Sequence, residues 1–263
     1  MECASVVKKV RDSVAVVICD DGKGNIPSKG SGFVYFKKGI IVTCNHVVAI
    51  PDTAVKIRFD DEGDFIEAKI ALQDLEHDIA ILKYNPSQAP KSEPLDALSE
   101  KDVQEGMAVI FAGYPLNLWN LTTHQGILSA IIKDATGAIV YMIDGTVNSG
   151  NSGCPLLSDS GKVIGVVNAR RRENHKLLSE IESIEAGAIS IHNIDVIKTY
   201  KAIISNLQMG MGYAIPSSYI PKYDSEPPAP GEPKLQTEEV PVKVGGQVEI
   251  VIAAKTTRKK KRL

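Results

Sequence analysis

The 263-residue sequence predicts an all-β fold, a sandwich or barrel, and three observations carry that prediction. Short runs rich in Val and Ile recur through residues 13–170. Clusters of Gly, Asn, Asp or Pro bound them about every eight to twelve residues, the turn spacing of antiparallel β proteins. No strand–helix–strand alternation interrupts them, which argues against a parallel α/β sheet.

In chain order, Ser5–Asp12 reads as a short N-terminal helix. Strands are expected at Val14–Cys19, Gly32–Phe36, Gly39–Thr43, Ala54–Phe59, Glu67–Ala71, Ile79–Tyr84, Met107–Gly113, Thr122–Ile132, Val140–Ile143, Pro155–Leu157 and Val163–Ala169. Residues 85–105 are polar and hold Pro86, Pro90 and Pro94, the marks of a linker between two β subdomains. An insertion at 170–209 reads as helical. Lys176–Glu185 is a charged segment, and Asp195–Leu207 sets Val196, Ile197, Tyr200, Ile203, Ile204 and Leu207 at helical spacing behind Asp195 as N-cap. Strand signal returns at Gly212–Ile215. Past Pro221, Pro227, Pro228, Pro230 and Pro233 predict a stiff, extended, largely disordered tail, with one further strand at Gln247–Ala253. The expected division is an N-terminal unit at 1–95, a C-terminal unit at 96–220 carrying the insertion, and the tail at 221–263.

Composition narrows the function classes. Apolar residues make up 43% and the net charge is −2, so a sizeable core is available and bulk charge excludes a strongly basic nucleic-acid binder. The tail runs against the rest: nine basic and six acidic residues follow Ile220, ending in Arg258-Lys259-Lys260-Lys261-Arg262. No apolar run reaches the length of a membrane span, so no transmembrane segment is expected. Lys8, Lys9, Arg11 and Asp12 break up the N-terminus, which lacks a secretory leader, and a cytoplasmic location is the expectation. Cys3, Cys19, Cys44 and Cys154 have neither disulfide-framework nor zinc spacing and read as reduced thiols.

Three segments carry chemistry. In Asn148-Ser149-Gly150-Asn151-Ser152-Gly153-Cys154, glycines bracket a serine, so the chain can turn tightly and bring the Gly150 and Ser152 N–H groups onto one carbonyl oxygen. In Thr43-Cys44-Asn45-His46, an apolar strand ends in a histidine, the side chain best suited to take a proton from a serine hydroxyl near neutrality. In His77-Asp78-Ile79, a carboxylate stands at the start of an apolar strand, where it can accept the Nδ1 proton of His46 and fix its tautomer. Asp74 is a weaker candidate for that task. Taken singly, each has a bland reading as a β-turn, a packed histidine or a strand-capping aspartate.

Together these segments stand in the order His46, Asp78, Ser152, and here the chain resembles the trypsin/chymotrypsin-fold serine proteases, most closely the HtrA/Deg branch. The resemblance covers roughly 13–169 and resumes at 210–217. It rests on Gly30-Ser31-Gly32-Phe33, Thr43-Cys44-Asn45-His46-Val47-Val48, Asp78-Ile79-Ala80-Ile81-Leu82-Lys83, Gly113-Tyr114-Pro115-Leu116, Gly126-Ile127-Leu128-Ser129-Ala130, Gly150–Leu156 and Gly212-Tyr213-Ala214-Ile215-Pro216. It implies a chymotrypsin-like pair of six-stranded antiparallel β-barrels with the site between them, His46 and Asp78 on the first and Ser152 on the second. His46 would be general base then acid, Asp78 its orienter, Ser152 the nucleophile, and the Gly150 and Ser152 amides the oxyanion hole.

It also implies that Val167, Asn168 and Ala169 pair with substrate backbone and that Thr146, with Val147 beside it, floors the pocket for the residue before the scissile bond. No carboxylate stands there, so small or medium apolar residues are expected. The activity implied is a serine endopeptidase acting on protein or peptide substrates with no cofactor and no metal. A catalytically silent or switch-gated protease fold acting as a binding module is the alternative.

Several features depart from the family pattern. Cys154 replaces the second glycine after the serine, and Cys44 lies two residues before His46, so a redox bridge between them competes with two buried thiols. Arg170-Arg171-Arg172 open the insertion and read first as a solvated charged loop, with attraction of acidic substrate side chains near the cleft as the second reading. The 43 residues after Ile220 are too few for a PDZ domain. The family often forms trimers through N-terminal residues, which leaves a homo-oligomer open. The basic run 258–262 has three readings: a solvated terminus, a contact for nucleic acid or another acidic partner, or an anionic membrane contact. His77, His124, His175 and His192 read as structural or exposed, and Trp119 as packing or cleft wall.

Overall fold

The computed structural model describes residues 3–59, 61–134, 136–169, 184, 187, 190–192, 194–200, 210–223, 237–244 and 247–254. A helix α1 (Cys3–Val10) and one 3₁₀ turn lead into β1 (Val14–Asp20), β2 (Ser28–Val34), β3 (Ile40–Cys44), a one-turn helix α2 (Asn45–Val48), β4 (Ala54–Arg58), β5 (Ile66–Asp74) and β6 (Ile79–Tyr84). These six strands close into an antiparallel barrel in the order β1-β2-β3-β6-β5-β4. The second barrel follows from β7 (Ala108–Gly113), β8 (Thr122–Lys133), β9 (Ile139–Asp144), β10 (Pro155–Ser158) and β11 (Val163–Val167). The short pair β12 (Ser190–Ile191) and β13 (Ile194–Asp195) precedes β14 (Met211–Pro216), which closes that barrel in the order β10-β11-β14-β9-β8-β7.

Each of the twelve barrel strands overlaps a run read as a strand from the sequence, although β2 begins at Ser28, four residues before the run expected from Gly32. The reason is visible in their burial. β1, β3, β10 and β11 are buried on nearly every residue, because one face points into a barrel and the other is covered. Such strands show as near-continuous apolar runs. On α1, Val6 and Val10 stand four residues apart on one helical face and join the same apolar cluster as β1. That cluster crosses from the first barrel to Ile110, Leu157, Val166 and Ile215 of the second. Both barrels therefore belong to one compact unit, which ends at Pro221.

Most of the insertion lies outside the described residues, among them Arg170–Arg172 and all of 176–185 except Ile184. Within it, residues 196–200 are helical, and Asp195 accepts the Lys198 N–H at 2.9 Å, the N-cap expected there. The small β12–β13 pair has no counterpart in the sequence reading. The second unit, from Lys222, holds an antiparallel hairpin of β15 (Thr237–Val244) and β16 (Gln247–Ala254). Its second strand was legible, whereas Pro241 masks the first, since proline inside a run argues against a strand. The basic run 258–262 lies outside the described residues. No described helix is long and apolar enough to cross a membrane.

Candidate active site

His46 sits in α2, immediately past the end of β3. The Asn45 N–H donates to the Asp78 carbonyl at 2.9 Å, the Ala49 N–H donates back to the Asn45 carbonyl, and Gln73 Nε2 donates to Asn45 Oδ1 at 2.7 Å. These bonds join the His46 turn to the start of β6, where Asp78 stands. Asp78 has φ +56°, a left-handed conformation that costs a non-glycine residue about 1–2 kcal/mol. Its surroundings over-determine it. Besides its carbonyl, its carboxylate accepts the His46 N–H at 2.9 Å, meets His46 Nδ1 at 2.6 Å and accepts Asn168 Nδ2 at 3.0 Å. Burial alone would raise the Asp78 pKa, but the bonds from His46, its charge and the Asn168 amide together hold it below the ordinary value.

The weaker candidate, Asp74, has a different task. Its carboxylate caps the preceding turn by accepting the Glu76 and His77 N–H groups and pairs with His77 Nδ1 at 2.8 Å. The His77 ring stacks on Tyr219 with centroids 4.3 Å apart, so the turn that presents Asp78 leans on the second barrel. His77 is structural, as its lack of ligand spacing suggested.

Ser152 comes from the turn before β10. Its Oγ lies 2.9 Å from His46 Nε2 and accepts the Ala169 N–H at 3.2 Å. Carboxylate, imidazole and hydroxyl thus form one hydrogen-bonded relay across the two barrels. Gly150 and Gly153 are required here, with φ +91° and +88°. A Cβ on Gly150 would lie 2.4 Å from the Tyr114 carbonyl oxygen, and one on Gly153 would lie 2.1 Å from the Ser31 carbonyl oxygen.

The Gly150 and Ser152 N–H groups donate to none of the described residues. The Leu116 N–H holds the Ser149 carbonyl at 2.6 Å, so in a trans peptide the Gly150 N–H points the other way. Asn151, between the two, is fully buried with no hydrogen bond to its side-chain amide among the described residues. Such a group costs about 1–3 kcal/mol. The turn is held by backbone bonds, among them Asn151 N–H to the Asn148 carbonyl and Cys154 N–H to the Asn151 carbonyl, both at 3.0 Å, rather than by the Asn151 side chain.

The cysteines near the site are free and fully buried. Cys154 has no left-handed φ, so its position does not demand glycine. Room for it comes from Gly113, where a Cβ would lie 2.9 Å from that of Cys154. Cys44 Sγ donates to the Val167 carbonyl at 3.4 Å. Burial pushes both thiols above the ordinary range, and at Cys44 the Asp78 charge adds to it. Of the four thiols only Cys3 is partly exposed. One fast-reacting thiol per native chain is therefore expected with a disulfide reagent, rising to four in denaturant. Two missing thiols after denaturation would show a bridge instead. Cys44, His46 and Asp78 are the one described group whose donor atoms lie close enough for a metal, within 4.8 Å, but His46 and Asp78 are engaged with each other.

The residues expected to meet substrate are distributed unevenly. Val167 is buried, its N–H donates to the Cys154 carbonyl, and its own carbonyl accepts the Gly153 N–H at 2.8 Å. Its backbone is engaged inside the protein. Asn168 turns its amide to Asp78, a contact that the sequence reading missed although it named the residue. Ala169 reaches Ser152 through its N–H. Thr146 is exposed, and Val147 packs half-buried against Gly212. Trp119 lies between Lys29, 4.7 Å from its ring centroid, and Arg58 at 5.4 Å, while Lys29 also caps the carbonyls of Leu116 and Leu118. Burial, helped by Arg58, lowers the Lys29 pKa to about 8.

Comparison with known proteins agrees with this geometry. The family described as "Trypsin-like peptidase domain" matches residues 30–166. The Serine protease Do-like HtrA of Lactobacillus helveticus is 31% identical over 193 residues, 70% of this chain and 45% of that protein. A "probable periplasmic serine endoprotease DegP-like" of Brucella suis is 38% identical over 159 residues, 55% of this chain and 30% of the relative. The chain thus spans less than half the length of these curated relatives. Among solved structures, an HtrA-type protease, AlgWS227A with tripeptide, superposes with a TM-score of 0.59 at 21% identity, covering 83% of this chain and 60% of the other. That likeness bears on the fold alone. The Brucella suis relative is named periplasmic, which corrects the cytoplasmic location expected from the sequence. The charged residues behind that expectation, Lys8, Lys9, Arg11 and Asp12, carry no information on compartment.

Proposed function

The chain belongs to the trypsin-like peptidase domain family, and from that premise we propose that it is a serine endopeptidase using His46, Asp78 and Ser152. The observation that carries the reading is the unbroken relay from Asp78 to His46 at 2.6 Å and from His46 to Ser152 at 2.9 Å. His46 Nε2 takes the Ser152 hydroxyl proton as Oγ attacks the substrate carbonyl. Asp78 holds Nδ1 protonated, and with it the tautomer that leaves Nε2 free to accept. The tetrahedral oxyanion is received by the Gly150 and Ser152 N–H groups, donors of a kind worth about 3–4 kcal/mol each. His46 then returns its proton to the leaving amine, and water enters by the same route in reverse to release the acid from the acyl-enzyme.

Protein or peptide segments are the proposed substrates. Neither Thr146 nor Val147 is a carboxylate, which favours small or medium apolar residues before the scissile bond over Arg or Lys. Cleavage of a peptide library, read by mass spectrometry, tests this, with Ser152→Ala as blank. Apolar residues should lead the profile before the cut, and a profile led by Arg or Lys would refute the assignment. The reading as a silent binding module is disfavoured by the assembled relay and the open N–H pair. The basic run 258–262 supports an acidic partner or nucleic acid only through its charge.

A further inference from the structure

Ser31, in the middle of β2, makes four hydrogen bonds, two of which reach the serine turn. Its N–H donates to the Ser152 carbonyl at 2.8 Å, and its Oγ donates to the Gly150 carbonyl at 2.7 Å. The same Oγ accepts the Tyr114 N–H at 3.0 Å, and its own carbonyl accepts Thr43 Oγ1 at 2.7 Å. The residue is fully buried, and β2 is paired on both sides, with β1 and with β3. It is therefore a rigid anchor on the first barrel gripping a turn that belongs to the second.

The geometry matters for the oxyanion donors. The Ser152 N–H belongs to the peptide joining Asn151 to Ser152. The peptides on either side of it are those whose carbonyls, on Gly150 and Ser152, are held by Ser31. A peptide plane rotates by compensating changes in the dihedrals flanking it, and clamping both neighbours blocks that motion. Inside the turn, the Cys154 N–H holds the Asn151 carbonyl at 3.0 Å and the Asn151 N–H donates to the Asn148 carbonyl at 3.0 Å, but Gly150 is conformationally permissive and the Asn151 side chain makes no hydrogen bond among the described residues, so Ser31 adds a hold on the turn from the first barrel. The Gly150 N–H is set separately, by Leu116 on the Ser149 carbonyl.

We infer that Ser31 is a positioning residue of the oxyanion hole, its hydroxyl fixing the Gly150–Asn151 peptide from the first barrel and so reinforcing the turn that aims the Ser152 N–H at the substrate carbonyl. This rests on the peptidase reading above. It acts through the turn and touches no reacting atom.

The test is Ser31→Ala, read in four quantities: kcat, KM, inhibition by a peptide aldehyde that forms a tetrahedral adduct on Ser152, and inhibition by the matching peptide alcohol. The alcohol binds without an oxyanion. Expected are parallel losses of about 10–100-fold in kcat and aldehyde affinity, with KM and alcohol affinity within about twofold. Thr43→Ala removes a buried hydrogen bond from the same network without freeing the Gly150 carbonyl and serves as the comparison for stability. It should lower Tm similarly but weaken the aldehyde less than about threefold. Ser31→Cys keeps the volume and a weaker donor, so it should fall between wild type and Ser31→Ala, and it carries the test if the alanine variant does not fold.

A folded variant with unchanged aldehyde affinity, or equal losses in Ser31→Ala and Thr43→Ala, overturns the inference. Should the wild type prove inactive, the peptidase reading fails separately. Hydrogen exchange across 149–153 then decides the positioning claim: faster exchange in Ser31→Ala supports it, and unchanged exchange overturns it.

Discussion

Ser152→Ala is expected to lower peptide hydrolysis by about 10⁶-fold in kcat, with the protein folded and KM little changed. No other described nucleophile can take over. Cys154 is two residues away but fully buried in the core of the second barrel, and burial keeps its thiol protonated. Ser149 is exposed, yet only Ser152 has its hydroxyl on His46 Nε2. His46→Ala should lose about as much, and the double variant little more, because nucleophile and base act as a unit. Residual activity would come from the oxyanion donors and substrate binding alone. A Ser152→Ala variant retaining more than about one per cent of wild-type kcat would place the chemistry elsewhere.

The second large effect is at Asp78. Asp78→Asn should cost about 10⁴-fold in kcat near neutral pH. The reason is specific to this arrangement. The carboxylate faces three donors, the His46 N–H, His46 Nδ1 and Asn168 Nδ2. An amide has one acceptor oxygen, so one orientation sets an NH₂ against Asn168 and forces His46 into the wrong tautomer, while the other sets it against the His46 N–H. The same substitution has a signature in stability. The folded Asp78 pKa lies below its ordinary value of 3.8, so the native state binds fewer protons there than the unfolded chain. Its contribution is present above about pH 4 and lost as pH falls through the folded value. Urea midpoints across the acid range should show a steeper decline for wild type than for Asp78→Asn. Equal slopes would contradict the pairing.

Much of this site is legible in the sequence because its parts are local. A strand ending in Cys44-Asn45-His46, an aspartate opening β6 and a serine between glycines each leave a trace in a few consecutive residues. The barrel strands are legible for the same reason. What is not legible depends on contacts between distant segments. Ser31 reads only as part of a Gly-Ser-Gly-Phe opening, since nothing near it in sequence reveals a turn 119 residues later. Asn168 reads as a substrate contact, whereas its amide folds back to Asp78. The left-handed Asp78 has no sequence signal, because a carboxylate held from several sides can occupy a conformation usually left to glycine. Pro241 conceals a strand that β16 pairs with. The expected location fails for another reason: compartment is not a property that strand and site chemistry determine.

The account turns on one assembled relay, and a fluorophosphonate serine-hydrolase reagent reads it directly, because it reacts only where an activated hydroxyl faces an oxyanion hole. Labelling of the folded wild type, with the adduct mapped to Ser152 by peptide mass spectrometry and absent from Ser152→Ala and His46→Ala, is the expected result. A folded wild type that takes up no label, or an adduct on any other residue, would contradict it.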